Sequence, residues 1–256
     1  MIERVGIIGV GHLASYIVEG LKRSSEEIEI IMSPRNRDRV QTLSTKFNAI
    51  VATNNQEIAD STELIILSTR PKDSVAVAAD IGFHPGQTVI SVAAGLPLET
   101  LRPAIEPAMI VRAMPISSAA INRSPTLLYP DHPQARELFS LLGQVLILPE
   151  ESLFTPASVI AAFYGWVYAL MDETIKWTIQ EGVPSEIAKN LVIRTIQGAV
   201  EMSLANQEQD LTNMLSTLVT KGGITEYGLS ILNQKKGIKA WTDALEAVHK
   251  YLHSVT

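Results

Sequence analysis

The 256-residue sequence predicts an α/β protein in two parts: a doubly wound, mostly parallel sheet domain over residues 1–152 and an all-helical domain over residues 153–256. In the first part, short continuous apolar segments alternate with segments of helical periodicity, as in a sheet covered by helices on both faces. After Pro149 the strand pattern ends, and from Pro156 onward nearly every window has helical periodicity. A hydrophobic content of 46% supports a sizeable core and excludes global disorder.

The individual elements follow from these patterns. The predicted strands are Val5–Val10, Ile28–Met32, Leu64–Leu67, Val89–Val92 and Met109–Val111. Residues 12–23 predict a helix, because Leu13, Ile17 and Leu21 share one face. In the second part, helices are predicted after Pro184-Ser185 and over Ala240–Leu252.

One long segment lacks charge. Between Glu151 and Asp172 the chain reaches the roughly 20 residues that a membrane helix needs, but its first part is polar. Its solidly apolar part, Val159–Met171, predicts a buried core helix instead, and no membrane contact is expected. The helical part carries apolar faces that it cannot bury alone, so we predict an obligate homodimer through residues 157–256.

Composition excludes several classes of protein. A net charge of −6 disfavours general nucleic-acid binding, and the absence of Cys excludes disulfides, thiolate catalysis and cysteine metal sites. His249 and His253 have a spacing that zinc ligands use, but no third ligand is nearby, so no metal site is expected. The N-terminus shows no targeting signal, and we expect a cytoplasmic protein.

A phosphate-binding turn follows the first strand. Gly9-Val10-Gly11-His12-Leu13-Ala14 has the G-x-G-x-x-A pattern between a strand and a helix, as in Rossmann-like dinucleotide-binding domains. Gly9 permits a tight turn, and Gly11 lets the pyrophosphate approach the amides at the helix N-terminus. The alternative is a strand–turn–helix with no ligand.

The residues after the second strand favour NADP over NAD. NAD-binding domains place an Asp or Glu there for the ribose 2′-hydroxyl, whereas this chain has Ser33-Pro34-Arg35-Asn36-Arg37. A hydroxyl with a guanidinium suits the 2′-phosphate of NADP. The alternative is a solvated basic loop, with Arg37 and Arg39 simply exposed.

Further motifs follow in a characteristic order. Ser68-Thr-Arg-Pro71, Ser91-Val-Ala-Ala-Gly95 and Val111-Arg-Ala-Met-Pro115 each follow or end a predicted strand. Val219-Thr-Lys-Gly-Gly-Ile-Thr225 and Tyr227-Gly-Leu-Ser-Ile-Leu232 lie in the helical part. Together they resemble the pyrroline-5-carboxylate reductase family from about residue 2 to residue 250.

The resemblance implies an NADPH-binding sheet domain, a helical domain that interlocks with its dimer mate, and a small cyclic imine as substrate. The positions it assigns to the cofactor are Gly9, Gly11, His12, Leu13, Ser33, Arg35, Asn55 near the ribose, Ser68, Thr69, Arg70, Pro71, Ala94 and Gly95. The positions it assigns to the substrate are Met114, Pro115, Gly222, Gly223 and Thr225.

The chain also departs from the family pattern. His12 stands in place of Asn, Ile116 replaces the Asn of R-x-M-P-N, and Ile224 replaces a Thr. At Ile160–Trp166, where the family has S-G-S-G-P-A-Y, this chain has bulky apolar residues. We therefore predict that its substrate differs from pyrroline-5-carboxylate, or that it reduces that compound poorly.

Thr225 is the candidate catalytic residue, because a hydroxyl beside the imine nitrogen can orient it or relay a proton. Its alternative role is the N-cap of the following helix. Asp172 is either an acid near the pocket or part of a surface pair.

Two other function classes stay open. A hydroxyacid dehydrogenase would need a helix Lys followed four residues later by Asn, but Gln180 follows Lys176 and Ile193 follows Lys189. A non-catalytic cofactor-binding relative, resembling late competence proteins, remains possible because fold does not fix function.

Overall fold

The structure is a computed structural model that describes residues 2–254. The chain divides into two compact units, residues 2–158 with 251–254, and residues 159–250. The first unit holds an eight-stranded sheet, β1 to β8. The strands are Arg4–Ile8, Glu29–Met32, Ile50–Val51, Leu64–Leu67, Thr88–Ser91, Met109–Met114, Thr126–Tyr129 and Val145–Ile147.

The sheet order is β3-β2-β1-β4-β5-β6-β7-β8. Strands β1 to β6 are parallel, β7 pairs antiparallel with β6, and β8 runs parallel to β7. This confirms the predicted doubly wound, mostly parallel sheet. All five predicted strands are present, β4 with the predicted ends and the other four with shifted ends, whereas β3, β7 and β8 were not predicted.

Helices cover both faces of the sheet. The helices of the first unit, α1 to α7, are His12–Arg23, Arg37–Phe47, Asn55–Ser61, Pro71–Ala79, Leu98–Ile105, Pro133–Ser140 and Phe154–Ser158. Along β4, Ile66 belongs to a core cluster that contains α1 and α6, and its neighbour Ile65 belongs to a second cluster with α3 and α5. Because successive side chains of a strand point to opposite faces, each cluster is the core of one face.

The second unit is helical. Helices α8 to α12 are Ile160–Gln180, Ser185–Ala205, Leu211–Leu218, Ile224–Gln234 and Gly237–Ser254, of which the last few residues group with the first unit. Contacts between α8 and α9 are the main helix pairing of this unit.

The expectation of a buried core helix over Val159–Met171 is wrong for the single chain. No side chain of α8 is buried, and Ile160 and Leu170 are about half exposed. An apolar segment predicts that its surface is buried, but it does not show whether the same chain or another chain buries it. Among the described residues, Glu151–Gln180 is the one helical segment that passes a membrane-span test, by length and composition alone.

Candidate functional site

The direction of strand order reverses at β1, which lies between β2 and β4: β2 and β3 follow on one side, and β4 to β6 on the other. In open α/β sheets, ligands bind outside the carboxyl ends of the strands at such a switch point. A groove of about 620 Å³ lies there in this structure. Its lining comes from the segments after β1, β2 and β4, and comprises Gly9–Gly11, Arg35–Asp38, Ser68–Arg70 and Asp73.

Gly9 begins the turn after β1 in a conformation that needs glycine. Its φ is +92°, and a Cβ there would lie 2.7 Å from the backbone oxygen of Ser68. The residue after strand β4 therefore lies so close to the turn that no side chain fits on residue 9. This is the structural basis of the first glycine of the fingerprint.

Gly11 is the N-cap of α1 and faces open space. Apart from its two chain neighbours, no heavy atom lies within 4 Å of the position of an added Cβ. The first amides of a helix have no intrahelical acceptor and attract anions. The turn therefore fits the pyrophosphate of a dinucleotide, with His12 and Leu13 in the first helical turn.

Ser33 lies beneath this turn rather than on the groove surface. It is 3% exposed, and its Oγ accepts a hydrogen bond of 2.8 Å from the amide of Gly9. The residue predicted to contact the 2′-phosphate thus supports the phosphate turn from below. No Asp or Glu directly follows β2, in agreement with the sequence.

Exposed cations line the groove beside this turn. Arg35 and Arg37 are exposed, and the Asn36 side chain between them donates to the Val10 oxygen at 3.0 Å. Asn36 therefore fixes the basic loop to the phosphate turn, a role that the sequence did not reveal. Asp38 also lines the groove, so the positive charge is partly offset.

Thr69, Arg70 and Pro71 lie where β4 leads into α4. The Thr69 hydroxyl lies 2.8 Å from the hydroxyl of Ser74, and Arg70 Nε donates to Asp73 at 2.7 Å. Pro71 is the first residue of α4, where its missing amide costs nothing. These bonds fix the wall of the groove.

Other predicted residues lie on the same edge of the sheet without lining this groove. Asn55 is the first residue of α3, just after β3, whereas the N-cap is Asn54, whose Oδ1 accepts from Glu57. Ala94 and Gly95 follow β5. Met114 ends β6 and is half-buried, and Pro115 is buried.

The glycine–threonine loop belongs to the second unit. A Cβ on Gly223 would lie 2.4 Å from the Thr220 hydroxyl, and the Gly222 amide donates to Glu226 at 2.7 Å. Gly223 is the N-cap of α11 and Thr225 its second residue, half-buried. The alternative role of Thr225 as the helix N-cap is therefore wrong.

Two aromatic residues of α8 pack against Trp241 of α12. Phe163 and Trp166 lie 5.6 Å and 6.3 Å from Trp241, measured between ring centroids. Tyr164 and Tyr168 join their hydroxyls at 3.0 Å. Asp172 accepts from Lys176 at 2.5 Å on an exposed face, which corresponds to the surface-pair interpretation.

A buried ion pair went unnoticed in the sequence. Arg112 of β6 is 3% exposed, donates to Glu151 at 2.8 Å and stacks on the ring of Phe154. Glu151 also accepts from the amide of Leu98. Burial lowers the pKa of Arg112, and the Glu151 carboxylate opposes this change.

A second cavity lies at the opposite edge of the sheet. It has about 690 Å³ and opens at the amino edge of the sheet, beside Arg4, Glu29 and Glu63. None of the predicted cofactor or substrate residues lines it. The carboxyl-edge groove, which is smaller, carries the dinucleotide features.

Comparisons with known proteins agree with this geometry. Residues 4–95 match the family model described as NADP oxidoreductase, coenzyme F420-dependent. Residues 151–254 match pyrroline-5-carboxylate reductase dimerisation.

Relatives that align over nearly the whole chain are named pyrroline-5-carboxylate reductases. Pyrroline-5-carboxylate reductase 2 of Bacillus subtilis is 26% identical over 97% of this chain and 93% of its own length. The reductase of Synechocystis is 25% identical over 96% of each chain. A crystal structure of the Streptococcus pyogenes enzyme superposes with a TM-score of 0.87 at 25% identity, covering 98% of each chain.

A fold comparison extends to a protein with bound cofactor. The Plasmodium falciparum pyrroline carboxylate reductase, solved with NADP bound, has a TM-score of 0.84 at 20% identity over 98% of each chain. The fold and the phosphate turn define a pyridine-nucleotide-dependent oxidoreductase. Within that class, residues 151–254 match the dimerisation model of pyrroline-5-carboxylate reductases, and the whole chain resembles these enzymes.

Proposed function

We propose that this protein is an NADPH-dependent reductase of the C=N bond in a small cyclic imine, and that it works as a cytoplasmic homodimer. The observation that carries the proposal is the groove at the switch point. It combines an open phosphate cradle at Gly11 with exposed Arg35 and Arg37 after β2. A forked guanidinium binds a 2′-phosphate with charge-assisted hydrogen bonds, which supports NADPH as the cofactor.

The nicotinamide supplies the hydride, so the protein has to bind the cofactor, orient the imine against it and supply a proton to the imine nitrogen. The Gly9–Gly11 turn and the N-terminus of α1 would hold the pyrophosphate. Ala94, Gly95, Met114 and Pro115 would border the reacting ring. The Thr225 hydroxyl would stand near the imine nitrogen, where it orients the substrate or relays a proton.

The substrate prediction depends on Ile160–Trp166. Phe163 and Trp166 pack with Trp241, so their volume serves the packing of the helical unit rather than a pocket wall. The remaining difference is the loss of hydroxyl groups at this stretch. A carboxylate that lacks hydrogen-bond partners binds less well by a few kcal/mol. We therefore propose a cyclic imine without a ring carboxylate as the better substrate.

Homodimer formation is supported by the exposed apolar surface of the second unit. Trp177, Ile187 and Leu191 are 57–60% exposed in the single chain. Monomeric proteins rarely expose large contiguous apolar patches, and the match to the dimerisation model favours a second copy of this chain as the covering partner.

Steady-state kinetics tests the proposed activity. NADPH consumption is followed with a panel of cyclic imines that includes pyrroline-5-carboxylate. We expect kcat/KM of about 10⁴ M⁻¹s⁻¹ or more for at least one imine without a carboxylate, and a clearly lower value for pyrroline-5-carboxylate. Efficient reduction of pyrroline-5-carboxylate would contradict the substrate proposal but not the reaction class.

Variants of Thr225 test its role. Thr225→Ala should lower kcat by roughly 10²-fold, the lower end of general acid–base contributions, and Thr225→Ser should retain most of it. Thr217→Ala, which removes an exposed hydroxyl from α10, is the matched control. Tight NADPH binding without turnover of any imine would identify the protein as a non-catalytic cofactor-binding relative instead.

A further inference from the structure

The Arg39 guanidinium contacts the His12 imidazole beside the phosphate turn. Arg39 Nη1 lies 3.3 Å from His12 Nδ1, and Nη2 lies 3.2 Å from Nε2. A neutral imidazole accepts through only one of its nitrogens, so these two contacts are not a pair of hydrogen bonds. When the ring is neutral, one terminal N–H of Arg39 donates to the accepting ring nitrogen, and the other terminal nitrogen lies beside the second ring nitrogen.

Arg39 is itself held in place. Its Nη1 lies 3.3 Å from the hydroxyl of Ser15, which donates to the oxygen of Gly11 at 3.0 Å. Arg39 is the third residue of α2, and His12 is the first residue of α1. The guanidinium therefore bridges α1 and α2, and the imidazole is fixed between them.

The orientation of the His12 ring affects the space that is open to the pyrophosphate. It directly follows Gly11, the residue that leaves open space for the pyrophosphate. His12 is exposed, so apart from Arg39 little restrains its ring from turning toward the space that the ligand needs. A clamp that fixes the ring in advance reduces the ordering cost of binding.

We propose that Arg39 is a positioning residue, which holds the His12 imidazole against α2 and so keeps the space above Gly11 clear for the dinucleotide. The inference rests on the proposed function, because it needs a dinucleotide in this groove. It assigns Arg39 an effect on the pyrophosphate, which NADPH and NADH share. Arg35, in contrast, acts on the 2′-phosphate, which only NADPH carries.

Binding measurements by calorimetry test this assignment without turnover. Arg39→Ala should weaken NADPH and NADH by the same factor, roughly threefold to tenfold, the size of one net hydrogen bond. Arg39→Lys should behave like Arg39→Ala, because it keeps the charge but a single ammonium cannot contact both ring nitrogens. Lys46 lines another cavity that Arg39 also lines, away from the phosphate turn. Lys46→Ala is the control and is expected to change the affinity for neither dinucleotide.

A double-mutant cycle separates positioning from direct contact. If Arg39 acts through His12, Arg39→Ala should have no further effect in a His12→Ala background. Unfolding of each variant by urea is measured alongside, and all should unfold near the wild-type midpoint. An effect of Arg39→Ala that persists without His12, or that falls on NADPH alone, overturns the inference.

Two results distinguish this inference from the function on which it rests. If wild type binds a dinucleotide and Arg39→Ala binds it equally well, the positioning role is wrong and the proposed function stands. If wild type binds neither dinucleotide, both are wrong.

Discussion

The hydroxyl of Ser33, at the end of β2, accepts a 2.8 Å hydrogen bond from the amide of Gly9, at the end of β1. This bond joins the two segments that a dinucleotide would span, the phosphate turn and the basic loop. The loop proposed to select the cofactor and the turn proposed to bind the dinucleotide are therefore joined by a hydrogen bond. Separate substitutions of Gly9 and Gly11 should show which glycine of the turn is needed for stability and which for dinucleotide binding.

Gly9→Ala and Gly11→Ala should differ in this respect. A Cβ on residue 9 would meet the Ser68 backbone at 2.7 Å with φ at +92°, so Gly9→Ala should destabilise the protein by about 1–3 kcal/mol. A Cβ on residue 11 meets open space, so Gly11→Ala should cost less than about 1 kcal/mol but block the pyrophosphate. Urea unfolding and NADPH calorimetry on both variants measure the difference. Tight NADPH binding by Gly11→Ala would contradict the site.

Arg35→Ala should reduce the preference for NADPH. A phosphate–guanidinium contact supports a preference of roughly ten- to hundredfold, so the variant should bind NADPH more weakly and NADH as before. Calorimetry with both cofactors gives the ratio. Arg102→Ala removes an exposed arginine from α5 and is the control. Equal affinities of the wild type for both cofactors would exclude the predicted preference.

Glu151→Ala should destabilise the sheet unit. It would leave the Arg112 guanidinium buried without its ion-pair partner and the Leu98 amide without its acceptor. We expect a loss of about 3 kcal/mol, the lower end for a broken buried pair, because the Glu151 side chain is 28% exposed. Denaturant unfolding measures it, with the exposed neighbour in Glu150→Ala as control. A loss below about 1 kcal/mol would show that the pair contributes little.

His132 should make stability depend on pH. Burial lowers its pKa in the folded protein, and the charge of Asp131 only partly opposes this. As the pH falls below about 6.5, the unfolded chain takes up the proton first, so stability declines as the pH falls through the folded pKa. His132→Gln should therefore show a shallower decline between about pH 7 and 5 in urea unfolding. His84→Gln, at an exposed site, serves as the comparison, and equal slopes for wild type and His132→Gln would refute the linkage.

Leu191→Glu should dissociate the proposed homodimer. Leu191 is 57% exposed in the single chain, and a charge placed in an apolar interface is costly without a partner. Light scattering should give twice the 27.9 kDa chain mass for the wild type at micromolar concentration and the chain mass for the variant. Lys189→Gln tests a polar position on the same helix. A wild-type particle of one chain would refute the dimer.

The sequence predicted β1, β2, β4, β5 and β6, because they contain continuous apolar runs. It did not predict β3, whose two residues are both about 40% exposed, since so short an edge strand has no periodicity to detect. The antiparallel β7 was missed for a different reason. Its direction depends on pairing with β6, which a local pattern does not contain.

The candidate site was predictable where local geometry dictates the residue. Gly9 and Gly11 follow from the turn itself, whereas the support from Ser33 depends on a contact across 24 positions of the chain. The Arg112–Glu151 pair spans 39 positions and has no motif of its own. Such pairings are set by tertiary packing, which a single sequence does not show.

The two edges of the sheet are short, since β3 has two residues and β8 has three. A long exposed edge presents a row of free amides and carbonyls to which a foreign strand can add. Here each edge offers too few of these groups to template such growth. The sheet edges therefore leave little room for strand addition, so the proposed homodimer would form through the apolar surface of the helical unit without competition from the sheet.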